Sequence, residues 1–127
     1  GHRMKLLHNA VSNSVFNVTI EACALGRMYG MDLQAMIDVM NVGNARSYAT
    51  ETRFPKYIIP GTYDQGYLFS TGCKDFRMIL KIAQEKHYKM PFAEATYDYW
   101  NWASEQGHAD DDITTLYKLI ETKNTAE

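Results

Sequence analysis

Lys5 and Asn9 stand four residues apart in a proline-free stretch, so on a helix a titratable amine and a neutral amide project from one face, continued by Ser12, Asn13 and Phe16. By spacing alone the pair is equally the solvated face of an ordinary helix. Other residue types that do chemistry are more scattered. His2, His8, His87 and His108 have no ligand-like grouping and read as solvated or packing residues. Cys23 and Cys73 form no CxxC, which gives a zinc site or a disulfide framework no support and fits a reducing cytosol. Asp110, Asp111 and Asp112 lack the alternation and following glycine of an EF-hand loop, and place negative charge at a helix start instead. No two glycines are separated by a single residue, so a GxGxxG phosphate cradle is excluded; a Walker loop, HExxH and GxSxG are also missing.

The elements that must position these residues are helices. From Arg3 to Tyr29 apolar residues recur on more than one face, which predicts one long, largely buried helix ended by Gly30. Asp32 caps a second helix through Leu33, Met36, Ile37 and Met40, stopped at Gly43. Asn44 to Gly66 is punctuated by Pro55, Pro60, Gly61 and Gly66 and reads as irregular, with a short helical piece at Ser47 to Lys56. Further helices are expected from Leu68 to Lys86, from Pro91 to about Gln106 with Gly107 closing it, and from the aspartate triplet through Ile120. The aromatic run Tyr97 to Trp102 suits core or subunit-interface packing better than ligand stacking. No strand is expected, and the tail from Thr122 to Glu127 is polar enough to fray. The reading is one all-α domain, a helical bundle with a long N-terminal helix.

A chain of 127 residues with 46% hydrophobic and 22% charged residues has globular composition, and a net charge of −2 offers no footprint for nucleic acid or an anionic membrane. No apolar run approaches the roughly 18 residues that cross a bilayer, and no signal-peptide core is visible. The expectation is a cytoplasmic domain.

An ordered series of motifs adds to this. Gly1-x-x-x-Lys5-x-x-x-Asn9 resembles the G-x-x-x-K-x-x-x-N signature that opens the C-terminal domain of 3-hydroxyisobutyrate dehydrogenases and their β-hydroxyacid dehydrogenase relatives. Glu21-Ala22-Cys23-Ala24-Leu25-Gly26 is similar to the family's E-A-x-x-L-G, Gly30-Met31-Asp32 to its G-[LIVM]-D turn, and Gly66-Tyr67 with Lys74-Asp75-Phe76 to its G-F and K-D-L. Pro91, Gly107, Asp112 and Thr114 resemble its later P, G and D-x-S positions. The chain departs at Ala10, where a second asparagine is usual, at Tyr67, where the family has phenylalanine, and at Thr114, where it has serine.

The resemblance implies the helical fold seen at the C-terminus of 6-phosphogluconate dehydrogenase. It implies NAD or NADP, bound mainly by an N-terminal Rossmann domain absent from this chain, oxidation of a small 3-hydroxy acid or the reverse reduction, and a homodimer or higher homo-oligomer. The isolated chain is then inactive. Lys5 takes the role of general base, Asn9 orients the substrate hydroxyl, Tyr67 walls the substrate pocket, Lys74 lies near the nicotinamide end of the cofactor, and Asp75 is structural. A free lysine, with pKa about 10.4, is nearly all protonated at neutral pH, so this role benefits from a shift toward roughly 7 to 8 through desolvation or a neighbouring cation. A non-catalytic helical dimerisation module is the competing reading; retention of both Lys5 and Asn9 favours the enzyme.

Overall fold

The computed structural model describes residues 2–125; Gly1, which begins the first motif, and the last two residues of the tail lie outside them. The chain is all-α, and among the described residues the only extended pairing is an isolated bridge between Leu68 and Asp112. Helices α1 (His2–Met28), α2 (Leu33–Asn41), α3 (Phe69–Glu85), α4 (Pro91–Ala103) and α5 (Leu116–Lys123) are joined by a ten-residue π-helix at Ala49–Ile58, a π-turn at Ser104–His108 and a 3-10 turn at Ile113–Thr115. Among the described residues no helix is long and apolar enough to cross a membrane.

The expected punctuation is in place. Gly30 takes φ 80 just past α1, a conformation that costs a glycine little, and the Asp32 carboxylate accepts from the Ala35 N–H at 3.0 Å to cap α2. Pro91 starts α4, where a missing N–H is no loss. Asp112 sits just before the 3-10 turn that leads into α5, as expected of a helix start, and its carboxylate also accepts from the Gly66 N–H at 2.7 Å and ties that turn down.

Two compact units divide the chain. The first comprises the chain up to Ser14 together with Gly66–Ile113. Its core is built on Trp100, fully buried, which receives Tyr67, Phe69 and Phe76 edge-on at 5.8, 5.8 and 5.6 Å between ring centres. A Cβ on Gly72 would overlap that indole, so glycine here is a matter of space and not of backbone freedom. Of the aromatic run, Trp100 is core, while Tyr97, Tyr99 and Trp102 are half-buried.

The second unit comprises Val15–Gln65 and the chain from Thr114. Phe16, Ile20, Cys23, Ile37, Phe54, Leu116 and Ile120 form its core. The short helical piece expected at Ser47 to Lys56 is found at Ala49–Ile58, and it winds as a π-helix around Pro55. Proline lacks the N–H that would reach back to the Thr50 carbonyl, and in an α-helix its ring would meet the carbonyl four residues earlier. The wider turn relieves that clash, and the Asn41 side-chain amide donates to the Thr50 carbonyl at 2.8 Å in place of the missing N–H.

Candidate active site on the first unit

The first unit brings Asn9, Tyr67 and Asp75 together. Asn9 Nδ2 donates to Asp75 Oδ2 at 3.2 Å, and the Tyr67 hydroxyl donates to the same oxygen at 3.1 Å. Asn13 Nδ2 in turn donates to the Tyr67 hydroxyl oxygen at 3.2 Å. Two turns of α1 are therefore joined to one turn of α3, Asn9 directly and Asn13 through Tyr67. Leu6, Ala10, Phe76 and Ile79 complete the crevice around Asn9, Asn13 and Asp75.

Local structure explains the placement. Asn9 and Asn13 are one turn apart on α1, and Asp75 lies one turn and a half into α3. Tyr67 is held at both ends. Its backbone carbonyl accepts from the Ile113 N–H at 2.8 Å, the preceding Gly66, at φ 91, is tied to Asp112, and its ring rests against Trp100. Asn13 is 1% exposed, so its amide is a buried polar group whose hydrogen bonds matter to stability.

Lys5 lies one turn before Asn9 on α1 and is exposed. Lys74 is also exposed, next in sequence to Asp75 at the outer side of α3, and forms no ion pair among the described residues. His8 is exposed beside Asn9, with Nδ1 at 3.2 Å from the Asn9 side-chain oxygen. Among the described residues no group of histidine, cysteine and carboxylate side chains could hold a metal ion.

Reading the sequence by itself misses two members of this network. Asp75 figures there as structural, and Asn13 only as part of a helix face. The available signal was Asn13 itself, an amide at a position four residues from Asn9 on a side of α1 that otherwise buries Leu6, Ala10, Phe16 and Ile20.

Comparison with known proteins gives this geometry its context. A family model described as the NAD-binding segment of NADP-dependent 3-hydroxyisobutyrate dehydrogenase matches residues 1–120. An L-threonate dehydrogenase of Cupriavidus necator is 28% identical over 120 residues, covering 94% of this chain and 40% of that protein. A 2-(hydroxymethyl)glutarate dehydrogenase of Eubacterium barkeri is 22% identical over 121 residues, covering 95% and 40%. The crystal structure of a 3-hydroxyisobutyrate dehydrogenase from Salmonella typhimurium superposes with a TM-score of 0.82 at 22% identity, covering 91% of this chain and 40% of that one, a likeness of fold. The chain spans about 40% of the length of these relatives.

Proposed function

This chain belongs to that family, of 3-hydroxyisobutyrate dehydrogenase NAD-binding segments, and on that premise we propose that it is the C-terminal helical part of a cytoplasmic NAD- or NADP-dependent dehydrogenase acting on a small 3-hydroxy acid. The observation that carries the reading is the placement of Lys5 one turn from Asn9, whose amide is anchored to Asp75 at 3.2 Å. L-threonate and 2-(hydroxymethyl)glutarate, named for two of the relatives, are both hydroxy acids and support the substrate class.

In this reading Lys5 Nζ takes the proton of the substrate hydroxyl during oxidation and returns it in reduction. Asn9 holds that hydroxyl in place with an amide that does not titrate. A bound nicotinamide supplies the acceptor, or in reverse the donor, of the hydride. Lys74, exposed and without an ion pair among the described residues, presents a cation suited to the anionic groups of the dinucleotide or to the substrate carboxylate. Because Lys5 is exposed here, the exclusion of water that favours proton transfer comes from a further part of the protein, an N-terminal Rossmann domain, closing over this end of α1. Tyr67, whose ring packs on Trp100, is assigned to the wall of the substrate pocket. Two copies associate as a homodimer, with neither nucleic acid nor membrane as a partner.

The test is Lys5→Ala in the full-length protein. Loss of a general base lowers turnover by about 10²- to 10⁴-fold, while sedimentation still gives the wild-type dimer. Turnover within a few-fold of wild type would remove Lys5 from the chemistry, whereas no turnover even in the wild-type full-length protein would favour a non-catalytic module.

A further inference from the structure

We propose that the Tyr67 hydroxyl is a positioning group for Asn9, acting through Asp75: this tyrosine holds in place the carboxylate that fixes which edge of the Asn9 amide faces the substrate. The proposal rests on the dehydrogenase reading above for its consequence in catalysis, but not for its geometry.

The argument starts from what each group can do. A carboxylate only accepts hydrogen bonds, so both contacts to Asp75 Oδ2 must come from donors. The Tyr67 hydroxyl therefore spends its single proton on Asp75, at 3.1 Å, and meets Asn13 Nδ2, at 3.2 Å, with a lone pair. Direction is thus fixed along the whole series: Asn13 donates to Tyr67, Tyr67 donates to Asp75, and Asp75 accepts from Asn9. An amide whose oxygen and nitrogen look alike is here assigned by the chemistry of its partner. Turned over, Asn9 would set its carbonyl oxygen against a carboxylate oxygen. In the observed setting the Asn9 oxygen points to the exposed side, where His8 Nδ1 lies at 3.2 Å, and one amide N–H remains after Asp75 has taken the other.

Tyr67 is equipped to act as the fixed end of this series. Its backbone is tied to Ile113 at 2.8 Å and its ring rests on the buried Trp100, so the hydroxyl cannot drift without disturbing the core. A phenylalanine at this position would keep the ring and lose both polar contacts. Asp75 would then hold one donor fewer, and the buried Asn13 amide would lose an acceptor. Asp75 would be freer to rotate, and the Asn9 amide with it.

The test is Tyr67→Phe, read in two ways. In the 127-residue chain, NMR of side-chain amides is expected to show the Asn9 pair shifted by Tyr67→Phe and by Asp75→Ala, with Asp75→Asn restoring most of the wild-type position because its amide oxygen still accepts. Unmoved Asn9 resonances in folded Tyr67→Phe would overturn the proposal without touching the assignment of the family's reaction. In the full-length enzyme, Tyr67→Phe is expected to lower kcat by about tenfold in an otherwise wild-type background and by less than twofold when Asn9 is already alanine. Equal losses in both backgrounds would show that the hydroxyl does not act through Asn9 and would equally overturn it.

Discussion

Cys23 shows how a single residue can report on the interior. It is fully buried on α1, and loss of water around it pushes the thiol from its ordinary value near 9 up to about 11. The unfolded chain therefore gives up this proton before the folded chain does. Burying the neutral thiol contributes stability in full below pH 9, and that contribution is lost as pH rises toward 11. The melting temperature of the wild type should fall more steeply between pH 9 and 11 than that of Cys23→Ala; parallel curves would assign the alkaline loss to other groups, such as the tyrosines. At this scale the sequence is informative where residues are near one another. Lys5, Asn9 and Asn13 are spaced by helical turns and can be placed on one side of α1 by counting. Asp75 is 66 positions from Asn9, and no local rule brings them together. The hub of the network is visible only once α1 and α3 are packed.

Between elements, the closest constraint is the crossing of α3 and α4 at Gly72 and Trp100. Gly72→Ala would press a methyl group into the indole, and overpacking of this kind costs about 1–3 kcal/mol. Chemical denaturation should show that loss. An unchanged midpoint would mean that α3 and α4 yield at little cost. Gly26→Ala is a gentler case, since the obstacle is the Met36 thioether, the far end of a flexible side chain. Element boundaries are legible in the sequence because their signals are local: Gly30, Asp32 and Pro91 act within a turn of themselves. The winding of Ala49–Ile58 is not. A short helical piece is legible there, but its π winding past Pro55 depends on a wider turn together with an amide from Asn41, nine residues before the carbonyl it serves. The same limit applies to Asp112, whose place at a helix start is legible but whose contact with Gly66 spans 46 positions.

For the whole molecule, the telling feature is the order in which the two units are threaded. The chain writes the beginning of the first unit, up to Ser14, then most of the second, Val15–Gln65, then returns to the first at Gly66–Ile113 before ending in the second. The opening turns of α1 supply Leu6, Asn9, Ala10 and Asn13 to the crevice shared with Asp75, Phe76 and Ile79. A peptide of residues 66–113 lacks them, and is expected to show little of the native helix by circular dichroism; a cooperative native-like melt would show that α3 and α4 suffice. On the ribosome the consequence is one of timing. Asn9 must wait for the 66 positions that separate it from Asp75 before that neighbour exists, and the second unit is unfinished until α5 leaves the tunnel. Neither unit can be completed early and set aside, so a stop or a cut between residues 15 and 65 leaves two incomplete units rather than one intact and one missing.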